Sequence, residues 1–254
     1  MRYAIICLAS CTLSAADQTA DQPSDIRDNA KSMFARTGED LTRLPTAIGV
    51  AYDSIVNDTL DSNMDRYLVT GSIALKGLQA RAEMPLYVRN NPGAGRTTSG
   101  IGDAEVDGSL SVPLNGTLRI AAGLEASLDT AEENALGLGA NLWTPYLGVA
   151  VQTDAADMVV ARFSYASDDG DLDIERWELL VRGVRVWDER IFTGVDVIPG
   201  YDSGDDSFLL TTRVIAGAYI DDHNMASVES RQPLDSDSRE LNGWDLRVNY
   251  YFQF

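Results

Sequence analysis

From about Thr46 to the final residue, Phe254, apolar and polar side chains alternate with period two, in segments of nine or more residues separated by turn chemistry. Successive strand residues face opposite sides, so this pattern belongs to β-strands that are wet on one face and apolar on the other. In the last segment Trp244, Leu246, Val248, Tyr250, Phe252 and Phe254 share one face, and Asp245, Arg247, Asn249 and Gln253 share the other. Upstream, Ala80, Ala82, Met84, Leu86 and Val88 oppose Gln79, Arg81, Glu83 and Arg89, while Ala104, Val106, Leu110 and Val112 oppose Asp103, Glu105, Asp107, Ser109 and Ser111. Leu118, Ile120, Leu124 and Leu128 oppose Thr117, Arg119, Glu125 and Ser127 in the same way. No run of 18 uncharged apolar residues occurs past the N-terminal segment, which excludes a helical membrane span there.

A soluble sandwich also alternates, so the connections decide between the two settings. Lys76-Gly77, Asn115-Gly116, Asp154 to Asp157, Asp188-Glu189 and Asp221 to Asn224 are short turns. Between them lie longer acidic or glycine-rich stretches: Asp53 to Asp65, Asn90 to Gly102, Asp129 to Ala135, Asp168 to Asp171, Tyr201 to Asp206 and Gln232 to Arg239. Short and long connections that alternate in strict order are the mark of an outer-membrane β-barrel, with short periplasmic turns and longer extracellular loops. The expected fold is therefore an all-β antiparallel transmembrane barrel over residues 45–254. Its strands fall near 46–53, 65–76, 78–89, 103–113, 116–128, 136–152, 157–167, 172–187, 189–200, 207–220, 225–231 and 241–254, about twelve in all with both termini periplasmic. The polar segment 225–231 is the weakest, and without it the count falls toward ten. Trp177, Leu179 and Val181 fall out of phase with Val184 and Val186, which predicts a β-bulge at Gly183. Trp143, Trp177, Trp187 and Trp244 near strand ends fit interfacial girdles.

Met1 and Arg2, the apolar stretch Tyr3 to Leu13 and the small residues Ser14, Ala15 and Ala16 read as a secretory signal, residues 1–16. Cys7 and Cys11 both lie inside it; Leu8-Ala9-Ser10-Cys11 also matches a lipoprotein box, so lipidation of Cys11 is an open alternative. Residues 17–44 are polar, with a short amphipathic helix expected after Ser24 (Ile26, Ala30, Met33, Phe34), either a periplasmic leader or a plug for the lumen.

The terminus Tyr250-Tyr251-Phe252-Gln253-Phe254 resembles the C-terminal assembly signal of bacterial outer-membrane proteins. The middle resembles a narrower family, the outer-membrane transporters assigned to the MetA pathway of phenol degradation. The likeness lies in Ser99-Gly100-Ile101-Gly102-Asp103 and its following strand, Ala121 to Glu125, Leu136 to Ala140, and Trp143-Thr144-Pro145-Tyr146. The family's Pro-Thr-Gly is replaced here by Leu128-Asp129-Thr130. The resemblance implies a passive outer-membrane transporter for a hydrophobic or aromatic solute.

No enzyme chemistry assembles. The single histidine, His223, sits in a predicted periplasmic turn; Gly93 to Thr97 lacks the lysine and helix of a phosphate loop; and Asp168 to Asp173 lacks calcium-loop spacing. No cofactor or metal is expected. The net charge of -19 makes nucleic acid an unlikely partner by simple repulsion. Lipid, lipopolysaccharide and the barrel assembly machinery are the expected partners in the outer membrane of a Gram-negative cell. Charges on the predicted inner face mark the candidate solute path: Arg81, Glu83, Asp103, Glu105, Asp107, Arg119, Glu125, Arg162, Arg176, Glu178, Arg182, Arg213, Asp245 and Arg247, with Arg89, Arg190 and Asp196 beside them. Bases gather on later strands and acids on early ones, so the lumen carries either a transverse field or a set of salt bridges. The expected function is a channel or facilitated-diffusion pore for a small solute, with a closed structural or lipopolysaccharide-binding barrel as the alternative.

Overall fold

The computed structural model describes residues 46–254 apart from 58–61, 76, 93–96, 133–135, 154–156, 171–173, 188–189, 205, 222 and 239–242. The expectations for the signal and for residues 17–44 fall outside the described residues. Thirteen strands form one sheet: β1 (Ala47–Asn57), β2 (Ser62–Leu75), β3 (Leu78–Pro92), β4 (Thr98–Gly100), β5 (Ala104–Pro113), β6 (Leu118–Leu128), β7 (Leu142–Gln152), β8 (Asp157–Asp168), β9 (Glu175–Trp187), β10 (Ile191–Asp202), β11 (Ser207–Tyr219), β12 (Asn224–Pro233) and β13 (Trp244–Gln253). Sequence neighbours pair antiparallel, except that β4 and β5 both pair with β3 rather than with each other, and β1 pairs with β13, closing the sheet. Twelve strands make the barrel wall; β4 only prolongs the β5 edge, with Thr98 to Gly100 opposite Asn90 to Val88 of β3.

Closure removes the open edge, so backbone groups along the wall find partners within the sheet, as a membrane interior requires. Ile48, Val50, Leu147, Val195, Val214, Val248 and their neighbours present an exposed apolar band, while their alternates turn inward and are covered. Cross-strand register collects aromatic side chains into two rims. Tyr52, Tyr67 and Tyr87 lie opposite one another at the long-loop end, with ring centroids 5.1 and 6.1 Å apart. Trp177 stacks on Phe163 there at 5.4 Å, and Phe252 and Phe254 meet edge-on at 5.2 Å at the other end.

The segment 225–231, the weakest of the expected strands, is a regular strand extended to Asn224–Pro233, with Met225, Ser227 and Glu229 in inward positions between β11 and β13. Other expectations need correction. The strand expected from 136 starts only at Leu142. There is no bulge at Gly183: β9 keeps a single register against both β8 and β10, and Val184 and Val186 simply face inward into an apolar layer. The bulge lies instead in β3, where Tyr67 faces Tyr87 but Leu68 faces Pro85. The extra residue, Leu86, reverses the alternation beyond it, so Val88 points inward and Arg89 outward. Arg190 belongs to the exposed β9–β10 turn rather than the lumen.

Candidate functional site: the lumen

The inner face has two layers. Toward the short turns, Ala121, Tyr146, Ala150, Met158, Val160, Val184, Val186, Phe192, Ile215, Tyr219, Met225 and Tyr251 form one buried apolar cluster, contributed by β6 through β13. At the same level β2, β3 and β5 present Ser72, Gln79, Ser109 and Ser111, all buried. Three inward rings lie flat across a glycine of the adjacent strand: Tyr146 over Gly123, Phe192 over Gly217 and Tyr251 over Gly49. A Cβ at any of these glycines would collide with the ring, so the close approach requires glycine.

Above this layer a girdle of charge runs around the wall, and register explains its pairing. Asp196 of β10 faces Arg182 of β9 and Arg213 of β11 directly. Arg182 donates from Nε to Oδ1 at 2.7 Å and from Nη2 to Oδ2 at 2.8 Å, and Arg213 Nε donates to Oδ2 at 2.7 Å. Arg182 and Asp196 are both 0% exposed. Arg213 also approaches Glu229 at 3.7 Å, and Asn249 donates to Glu229 at 2.9 Å. Arg247 then spans from β13 to β3, with Nη1 3.1 Å from Glu83 Oε1 and Nη2 2.5 Å from Oε2. That bridge passes over β1 and β2, where Arg66 pairs with Asp53.

On β5 to β8 the girdle is looser. Tyr146 donates its hydroxyl to Asp107 at 3.0 Å, and Arg162 stands 4.0 Å over the Tyr146 ring while binding Glu125 at 3.0 Å. Arg81 reaches Glu105 only at 4.0 Å. The Glu105 and Glu125 side chains keep 30% and 27% of their surface accessible, in contrast to the sealed Asp196. Arg176 pairs with Asp202 at 3.1 Å near the long loops, Glu178 and Asp245 are half-buried on the inner face, and Arg119 Nε lies 3.4 Å from Ser111 Oγ.

The predicted inner-face charges of the girdle thus fall on the inner face, largely joined in pairs. Asp103 is different: it sits at the long-loop rim, accepting from the backbone N–H groups of Thr130, Ala131 and Leu138 at 3.1, 3.0 and 2.6 Å. Sequence reasoning missed Asp53, Arg66, Asp202, Glu229 and Arg231. Their signal was present, since each continues the period-two phase of its strand, but it was obscured by neighbouring acidic and hydroxyl residues typical of loops.

The other sequence candidates serve local structure. His223 is exposed in the β11–β12 turn, where the Asp221 carboxylate accepts from the His223 and Asn224 N–H groups, each at 2.8 Å. Asp168 accepts from Gly170 and Ile174 N–H, and Asp169 from the Asn141 N–H and side chain. Among the described residues no group of three or more His, Cys, Asp or Glu side chains is placed to hold a metal ion.

No family model and no curated protein matches the chain. Solved structures do. The NanC porin superposes with a TM-score of 0.62 at 10% identity, covering 82% of this chain and 100% of its own. An outer membrane channel from Pseudomonas putida F1 gives 0.62 at 17% identity over 92% of this chain and 100% of its own. The KdgM porin, solved with disordered oligogalacturonate, gives 0.56 at 16% identity over 81% and 99%. At such identities the likeness concerns architecture: the chain has the fold of outer-membrane porins and channels.

Proposed function

We propose that this protein is an outer-membrane channel for facilitated diffusion of a small solute that combines an apolar, often aromatic, body with one polar group. The observation that carries the reading is the layered lumen: a charged girdle whose accessible members include Glu105, Glu125, Arg66 and Arg247, set above an apolar layer rich in Phe192, Tyr219, Met225 and Tyr251. A solute crossing such a lumen exchanges polar contacts for apolar ones in a fixed order. The paired charges reduce net attraction for simple ions, which favours solutes without a strong net charge. Kinship with the phenol-pathway transporters belongs to this proposal and is supported by Ser99 to Asp103 and Trp143 to Tyr146.

One observation favours a closed structural barrel instead: Arg182, Asp196, Phe192 and Ile215 are essentially inaccessible. Refolded protein in planar bilayers, combined with liposome swelling in 4-hydroxybenzoate against an uncharged disaccharide, tests both readings. Discrete conductance with faster swelling in the aromatic solute is the expected result. No conductance in either case leaves the closed barrel.

A further inference from the structure

The outer wall is apolar over most of its circumference, and at one place this belt holds both a gap and a pair of charges. On β9 the outward residues run Val181, Gly183, Arg185 and Trp187 toward the short turn. Register sets Val159 of β8 and Val195 of β10 on either side of Gly183, and Asp157 and Thr193 on either side of Arg185. A Cβ built on Gly183 meets no atom within 4 Å, whereas Val159 and Val195 stand out exposed beside it. The result is a groove of about 460 Å³ on the outer face, with Gly183 in its floor and Arg185, Asp157, Thr153 and Thr193 at its short-turn end.

The charges at the mouth are held in place, yet they satisfy each other poorly. Arg185 lies 4.5 Å over the ring of Trp187, whose Nε1 donates to Thr193 Oγ1 at 2.9 Å. Arg185 Nε stands 3.7 Å from Asp157 Oδ1, beyond hydrogen-bond reach, and the two side chains keep 56% and 34% of their surface accessible. Among the described ion pairs this one faces outward, while the others lie on the inner face. An exposed pair of this kind adds little stability, and a glycine inside a strand weakens it unless something else approaches closely there. Two more outward glycines, Gly71 and Gly108, also leave open space. Between them and the short turns the outward residues are Ile73 and Leu75, or Leu110 and Val112, so those gaps have no charged mouth.

A ligand that fits must carry an apolar chain for the groove and, at the end of that chain, an anion for Arg185 beside a cation for Asp157. A phospholipid headgroup with phosphate and ammonium two carbons apart has these groups in this order. Short turns face the periplasm in barrels of this architecture, and a tryptophan such as Trp187 marks the level at which headgroups lie. We infer that the groove is a binding site for a phosphatidylethanolamine of the periplasmic leaflet, with one acyl chain over Gly183, the phosphate on Arg185 and the ammonium on Asp157. The site is independent of what the lumen carries.

Native mass spectrometry of the refolded full chain, titrated in micelles with phosphatidylethanolamine, phosphatidylcholine or phosphatidylglycerol of identical acyl chains, tests the site. One phosphatidylethanolamine is expected to bind about fivefold more tightly than either other lipid, the worth of one interfacial charge. Phosphatidylcholine has no ammonium N–H to donate to Asp157, and phosphatidylglycerol has no cation to offer it. Asp157→Asn is therefore expected to erase the preference, and Arg185→Gln to weaken all three lipids. Gly183→Leu fills the groove and is expected to weaken phosphatidylethanolamine by a similar factor, whereas Gly108→Leu fills a gap without charges and changes nothing. Equal binding of the three lipids, or a preference that survives both Asp157→Asn and Gly183→Leu, overturns the site and leaves ordinary annular lipid. Tighter binding of phosphatidylglycerol overturns it too, with Arg185 acting alone on anionic lipid. A dimer that disappears in Gly183→Leu, without any lipid preference, replaces the lipid by a second copy of the chain. Should Gly183→Leu lower the folded yield, the isosteric Asp157→Asn decides, and an unchanged preference in that variant overturns the proposal.

Discussion

The two walls of the barrel solve the same problem differently. On β8 to β13 the inner face is sealed, with Asp196 chelated by two arginines at zero exposure above a continuous apolar cluster. On β2 to β5 the ladder is interrupted between Glu83 and Val88 without a change of register, serines replace apolar side chains, and carboxylates such as Glu105 are held at 4.0 Å with about 30% of the side chain accessible. A sealed ion pair fixes shape because removing either partner strands a charge without water. A loose pair in contact with water fixes little. The difference teaches that barrel rigidity and lumen chemistry are assigned to opposite walls.

The largest effect that would break this comparison concerns Asp196. Asp196→Asn removes the buried carboxylate that both Arg182 and Arg213 bind, Arg213 keeping its 3.7 Å approach to Glu229, and a loss of about 3–5 kcal/mol is expected. Urea unfolding in detergent micelles checks it. A loss no greater than that of Glu105→Gln would show that the walls are energetically alike. Next is Gly123→Ala, which forces the Tyr146 ring off its neighbour and away from Asp107; about 1–3 kcal/mol is expected from overpacking, against about 1 kcal/mol for Tyr146→Phe, which removes one hydrogen bond only.

Arg247→Ala tests the link between the walls. It removes the bridge from β13 to Glu83, and single-channel recordings are expected to show higher conductance with more flicker; an unchanged trace would mean that the bridge does not bound the path. Smaller still is Glu105→Gln combined with Asp107→Asn, which leaves folding intact and lowers any cation preference in a salt-gradient reversal potential. The smallest effect is expected from the turn caps. Hydrogen bonds from the His223 backbone and the Asn224 side chain hold the Asp221 carboxyl below its usual range, and the Asn141 side chain does the same for Asp169. A pKa lowered on folding supports the turn above the unfolded carboxylate value near 4 and is lost as pH falls through the lower folded value. Both groups are exposed, so amide exchange in these turns should respond to acid while global unfolding does not.

Much of the wall was legible in the sequence because period-two patterning reports strands directly, and the alternation of turn and loop lengths reports closure. The girdle was partly legible: Arg182, Asp196 and Arg213 stand out as charges inside apolar strands. Two features were misread for one reason, the assumption that inward means polar. Val184 and Val186 looked out of phase at Gly183, yet the register continues and the lumen itself turns apolar there. In β3 the even positions Met84, Leu86 and Val88 looked continuous, and only Pro85 hinted that the strand changes phase. Patterning gives the alternation but not which side is wet, and that is decided by packing across the lumen.

The placement of Tyr251 over Gly49 carries a consequence for synthesis of the barrel. These residues join the first strand to the last, the only seam whose partners are made at opposite ends of translation. A slip of two residues would keep every side chain on its proper face, so hydrophobic patterning alone does not reject it. It would, however, bring the Tyr251 ring against Ala47 or Ala51, whose methyl groups occupy the space that Gly49 leaves empty. The glycine therefore works as a keyway, admitting the terminal strand in one alignment and leaving mis-set closures without their last interlock.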